Sequence, residues 1–322
     1  MNISRERLLA EAEATGFRAE ILEKVFHLFG LLEGFRSHPF LKDRLVLKGG
    51  TALNIFFFDL PRLSVDIDLN YIGAVDRETM LAERPKVDQA IQDVSSREGF
   101  TIRRMPTEHA GGKWSLRYGS GLGQSGNLEV DVNFMFRIPL WPVETLDSRQ
   151  VGSYQTKDIQ VLDIHELAAG KLAALMARRQ ARDLFDTHQL LHHTKLHPEL
   201  LRLGFVVYGA MNRKDWRTVS PRDVDFEIRE LERQLLPLLR VDFSWDEVEP
   251  GEFGRKLVKE CHEKLDAVLP FSVTEREFLD RLLDEGEIEP SLLTPDKDLQ
   301  ERIGRHPLLE WKALNVKKHK GK

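Results

Sequence analysis

Leu45-Val46-Leu47-Lys48-Gly49-Gly50-Thr51-Ala52-Leu53, followed by Leu63-Ser64-Val65-Asp66-Ile67-Asp68-Leu69-Asn70, decides how the first half of this chain folds. Leu45-Val46-Leu47 is a short apolar run that ends in Lys48-Gly49-Gly50. Thr51 to Phe58 reads as helix, and Leu60-Pro61 stops it. From Leu63 the pattern has period two. Leu63, Val65, Ile67 and Leu69 share one face, and Ser64, Asp66, Asp68 and Asn70 the other. That alternation predicts a half-buried strand. The order is therefore strand, Gly-Gly-Thr turn, helix, and a strand with two carboxylates on its polar face.

Working outward, residues from about 4 to 36 carry apolar side chains at helical spacing, with Gly16 and Gly34 as punctuation between two helices. Downstream, Arg77 to Glu98 is a charged amphipathic helix. Three strand-like runs follow: Phe100 to Arg104, Lys113 to Tyr118 and Asn127 to Phe136. Gly119 to Gly126 between the last two fits a flexible hairpin loop; it lacks the strand-loop-helix context of a phosphate-binding loop. After about residue 160 the texture turns helical, with Ile164 to Arg178 and Ala181 to His193 as the clearest segments. Prolines 221, 237, 250, 270 and 290 mark breaks in the polar remainder. The expected fold class is α+β: a mixed sheet flanked by helices over residues 1–160, then a mostly helical C-terminal half, residues 161–322.

Composition narrows the setting. Apolar residues at 41% and charged residues at 31% describe a globular chain and not a disordered one. No apolar run is long enough to span a membrane, and the charged N-terminus has no apolar segment of the signal-peptide kind behind it. One cysteine, Cys261, excludes an internal disulfide. Together these predict a cytoplasmic protein. The net charge of −5 does not advertise a nucleic-acid binder, but it hides a local excess: Glu166 to Arg217 holds nine Lys/Arg against five Asp/Glu. The tail from Val316 to Lys322 is basic too, as frayed ends often are.

On a strand, Asp66 and Asp68 project from one face about 7 Å apart. Paired carboxylates repel, so stability alone does not favour them. A divalent cation removes that cost, and Mg2+ (or Mn2+) binds one or two carboxylates together with substrate phosphates. A pair of ions clamping the attacking and leaving oxygens suits nucleotidyl transfer. Asp-x-Asp alone is common and also reads as a solvated strand edge. The upstream turn makes it specific: backbone N–H groups at a helix N-terminus hold anions, and glycine lets a phosphate approach closely. Lys48, Gly49, Gly50 and Thr51 are the candidate phosphate cradle. On the later strand Leu128 to Phe134, Glu129, Asp131 and Asn133 share a face. Asp131 or Glu129 can supply a third carboxylate, and Asp131 is preferred.

Leu47-Lys48-Gly49-Gly50-Thr51-Ala52-Leu53 with Leu60-Pro61-Arg62-Leu63-Ser64-Val65-Asp66-Ile67-Asp68-Leu69 resembles the signature of the AbiEii/AbiGii nucleotidyltransferase toxins, within the DNA polymerase β-like superfamily. Further on, Glu166 to Leu175 and Arg178 to Asp186 resemble the family's Lys-containing helix and its Arg-x-x-x-Asp-x-x-Asp-like segment. The resemblance covers roughly residues 45 to 190. Gly50 stands where many relatives have Ser. What it implies is a toxin of a toxin–antitoxin or phage-defence pair. The implied reaction moves a nucleoside monophosphate from an NTP to an acceptor hydroxyl, the 3′ end of tRNA first and a protein side chain second. A cognate antitoxin is the implied partner. Phosphoryl transfer, or an NTP-binding module acting by contact alone, are the rival readings.

Lys171 and Arg178 lie seven apart and share a helix face, where a point charge and a bidentate fork suit a triphosphate. Asp183 and Asp186 share a face of the next helix. Asp183 is expected to position Lys171 or an arginine such as Arg178 or Arg182, or to help activate the attacking hydroxyl. The nucleotide is expected in the cleft between the two halves. His188 and His192 have the i, i+4 spacing of a metal pair without an evident third ligand. Trp114 and Tyr118 suit the core or base stacking; Lys113 and Arg117 suit phosphates.

Overall fold

In the computed structural model the described residues are 3–107, 110–241 and 249–319, so the last three residues of the basic tail lie outside them. The chain divides into two units. The first takes residues 1–137, 143–162 and 237–244; the second takes 138–142, 163–236 and 245–322.

Two helices open the first unit, α1 (Arg5–Thr15) and α2 (Ala19–Ser37). Ser4 caps α1, and Gly16 ends it in the left-handed conformation, φ 72°. Gly34, expected as a break, lies inside α2 instead. A Cβ there would stand 2.6 Å from Val94 Cγ1, so this glycine lets α2 and α4 approach closely. Strand β1 (Leu45–Lys48) leads into α3, residues 49–57, which starts as an α turn and continues as a wider-wound π turn. Then come β2 (Asp66–Tyr71), α4 (Arg77–Arg97), β3 (Thr101–Arg104), β4 (Gly111–Gly119), β5 (Ser125–Asn133), β6 (Glu144–Leu146) and β7 (Ile159–Val161).

These strands make one mixed sheet in the order β3-β4-β5-β2-β1-β7-β6. The central pair β2/β5 is parallel, and β1/β2 and β4/β5 are antiparallel. Period two sends Leu47, Ile67, Leu69, Val130, Val132, Trp114 and Tyr118 to one buried face. Helix α2, buried along most of its length, packs against β5 and β7, and α4 packs against α2 and β3. Trp114 and Tyr118 therefore belong to the core. The glycine-rich hairpin loop is tied down: the buried Glu23 carboxylate accepts from Ser120 Oγ (2.6 Å) and from Gly121 N (2.7 Å). Strand β2 starts later than the alternation suggests. Leu63 N donates instead to Leu238 O (2.9 Å), and Arg62 bridges Leu239, on a segment returning from far along the chain.

The second unit is helical: α5 (Ile164–Arg178), α6 (Ala181–His193), α7 (Pro198–Ala210), α8 (228–235), α9 (Pro250–His262), α10 (Val273–Asp280), α11 (Lys297–Gly304) and α12 (Pro307–His319). Several prolines begin turns instead of breaking helices. Pro198, Pro250 and Pro307 open α7, α9 and α12, where the missing N–H costs nothing. Helix α5 packs on α6 and α7, and α6 on α9. Lys312 of α12 donates to Ala210 O (2.7 Å) and Asn212 O (2.5 Å), satisfying carbonyls at the end of α7. Among the described residues no helix is long and apolar enough to cross a membrane.

Candidate active site

The polar face of the first unit's sheet carries the carboxylates, and strand register decides which of them meet. Lys48 pairs with Asp68 across β1/β2, Asp68 with Asp131 across β2/β5, and Asp131 with Lys113 across β5/β4. Directly opposed residues project to the same side, so one row reads Lys48, Asp68, Asp131, Lys113. The next row reads Asp66, Glu129, Ser115. Glu129 is engaged, since Lys113 Nζ lies 2.7 Å from its Oε2. Burial pushes the Asp131 carboxyl above the usual carboxylate range. The Asp68 carboxylate adds to that shift, while Lys48 and Lys113 oppose it.

Gly49 stands at φ +74°, and a Cβ there would collide with the Asp68 carboxylate. Only glycine brings the start of α3 this close to an acid. Thr51 is fully buried, and its hydroxyl donates to the backbone carbonyl of Asp66. It thus fixes the strand that bears the acids; its side chain is not offered outward. The Asn54 amide donates to Gly50 O (2.9 Å), which braces the turn.

Among the described residues no three Asp, Glu, His or Cys side chains are already gathered at ligand geometry. The donor set still suits a divalent metal. Asp66, Asp68 and Asp131 offer hard carboxylate oxygens, as Mg2+ and Mn2+ require. The crowding of Asp68 against Asp131 is the kind a cation relieves.

In the second unit, Lys171 Nζ lies 2.9 Å from Asp183 Oδ1 and 3.0 Å from Asp186 Oδ2, and Arg178 Nε lies 2.7 Å from Asp183 Oδ2. The two aspartate side chains are 2% and 0% exposed, so this is a buried ion cluster. Burial raises the Asp183 carboxyl, but the charges of Lys171 and Arg178 outweigh it and leave it below the ordinary value. Arg179 ends α5 and pairs with Asp223 instead. Arg182 acts electrostatically on Glu230. His188 and His192 are stacked, ring centroids 4.6 Å apart, and both turn to Glu260 of α9. They are a helix–helix contact rather than a metal pair.

Sequence patterning passes over one acid here. Glu166 is buried and accepts from Leu140 N (2.9 Å), Trp141 N (3.5 Å) and Tyr208 Oη (2.9 Å). Burial lifts its carboxyl to about 7. Its only local signal is an acid on the apolar face of α5.

Over residues 30–269 the chain matches the family described as nucleotidyl transferase AbiEii toxin, type IV toxin–antitoxin system. It belongs to that family. The AbiEii chain is thus a nucleotidyltransferase toxin of a toxin–antitoxin, phage-defence system, a class that acts on an NTP and is held in check by an antitoxin. The family typically uses a divalent metal for the transfer. Its fold is also that of MenT4, a nucleotidyltransferase toxin from Mycobacterium tuberculosis: TM-score 0.58 at 15% identity, covering 98% of this chain and 99% of the other. No curated protein sequence matches the chain.

Proposed function

We propose that this toxin transfers a nucleoside monophosphate from an NTP to the terminal hydroxyl at the 3′ end of tRNA, releasing pyrophosphate and so blocking translation. The supporting observation is the row Lys48, Asp68, Asp131, with Gly49 pressed against the Asp68 carboxylate. Asp66, Asp68 and Asp131 would hold Mg2+ or Mn2+, which when bound supplies charge neutralisation for the triphosphate and the leaving pyrophosphate. The backbone of Gly49 and Gly50 gives phosphate oxygens close access, and Lys48 balances their charge. Asp131 is also the group proposed to accept the proton of the attacking hydroxyl. Asp131 is chosen over Glu129 because Glu129 already serves Lys113. In the second unit Asp183 is proposed as a positioning residue for Lys171 and Arg178.

The test is incubation of the full chain with each α-labelled NTP, Mg2+ and total RNA, comparing wild type with Asp68→Ala. Label in tRNA that disappears in the variant supports the reading. Label in protein and none in RNA moves the acceptor to a side-chain hydroxyl. No label anywhere with any NTP removes nucleotidyl transfer as this protein's action.

A further inference from the structure

Three arginines lie on the sheet beyond the carboxylates and have no assignment so far. In β3, Thr101 pairs with Arg117, Ile102 with Leu116, and Arg104 with Ser115. The register slips between Ile102 and Arg104, so Arg103 and Arg104 together oppose Ser115. Such a bulge re-aims side chains and is common beside active sites. Ser115 faces Glu129, and Glu129 faces Asp66. The bulge therefore ends the same cross-strand row that begins at a candidate metal ligand, three strand spacings or about 14 Å away.

Arg103 and Arg104 are exposed and Arg117 is half-exposed. None of the three has a hydrogen-bond or ion-pair partner among the described residues. Their neighbour Lys113, by contrast, is neutralised by Glu129. Three guanidinium groups without a partner among the described residues thus stand on adjoining strands. A polyanion would pair them, because the planar fork of arginine matches a phosphate bidentately.

We propose that Arg103, Arg104 and Arg117 form a track for the phosphate backbone of a single-stranded RNA end, delivering its terminal hydroxyl towards Asp66, Asp68 and Asp131. The proposal rests on the RNA-acceptor reading above and gives it a binding surface. The unpaired guanidinium charge selects a polyphosphate strand, and phosphate contacts set register without reading sequence. A bulged edge strand and its neighbour supply the charge, so the contact tracks a strand instead of enclosing a base.

The probe is fluorescently labelled, deacylated total tRNA, with binding followed by anisotropy across a salt series. The full-length triple variant Arg103→Gln/Arg104→Gln/Arg117→Gln is compared with wild type. A control triple, Arg255→Gln/Lys256→Gln/Lys259→Gln, removes the same charge from exposed positions on α9. The expected result is at least tenfold weaker binding by the track variant at low salt. Its slope of log affinity against log salt should be shallower by about 2, as loss of three phosphate contacts to a single strand requires. The control should bind as wild type does. Equal binding by the track variant, equal weakening by the control, or no binding by wild type would each overturn the proposal. If label goes to protein while the track variant still loses tRNA binding, the acceptor reading falls and the track stands.

Discussion

At the scale of single residues, the buried acids decide most. Glu166 is held protonated well above the ordinary glutamate value of 4.5, titrating at about 7 because burial disfavours its charge. The fold binds that proton more tightly than the unfolded chain does. Its contribution is therefore fully present below about pH 4.5 and is lost as pH rises to about 7. The difference in urea midpoint between wild type and Glu166→Gln should move steadily in the variant's favour from pH 5 to pH 7 and flatten above; a constant difference would mean that Glu166 ionises normally. Lys171 behaves differently. Lys171→Met should cost about 3–5 kcal/mol, because two buried carboxylates lose their ammonium. Adding Asp186→Asn should restore part of that, since Asp183 keeps Arg178 at 2.7 Å. Urea unfolding of the single and double variants checks this. The positions of Asp66, Asp68 and Asp131 were legible because period two in a strand is a strict rule. The burial of Glu23 and Glu166 was not, since their partners, Gly121 and Leu140, lie 98 and 26 residues away.

At the scale of elements, helix limits were legible where a cap or an apolar stripe marks them. Helices α5 and α6 run over the residues that their periodicity indicates. Gly34 misleads because glycine looks like punctuation while its reason lies on another helix. Gly34→Ala should lower the thermal midpoint. Crowding of Val94 by the new methyl costs about 1–3 kcal/mol, against roughly 1 kcal/mol gained in helix propensity. Val94→Ala in the same chain should be less harmful than the two single changes added together. Strict additivity in a thermal-melt cycle would show that close helix approach is not why the glycine is there. Sheet register was the least legible feature. That Asp68 meets Asp131 follows from a parallel pairing of strands separated by a helix and two other strands, which local patterning does not encode.

At the scale of the molecule, the two units exchange chain. The first needs 237–241, whose Leu238 and Leu239 are buried and hold Leu63 and Arg62. The second needs Leu140 and Trp141, whose N–H groups satisfy Glu166. A fragment ending at residue 162 keeps every strand of the sheet and lacks that return segment. It should melt without a cooperative transition and be cut readily by protease near Leu63. A sharp melt with native-like hydrogen exchange would show that 237–241 is dispensable.

The late return of Leu238 to Leu63 bears on how the toxin is born. Leu63 is the anchored residue just ahead of Asp66, and its anchor is synthesised only after three-quarters of the chain. During translation Leu63 therefore waits for a hydrogen-bond partner that is not yet made. A chain released by a stalled ribosome between residues 190 and 236 would contain every candidate catalytic residue and lack that anchor.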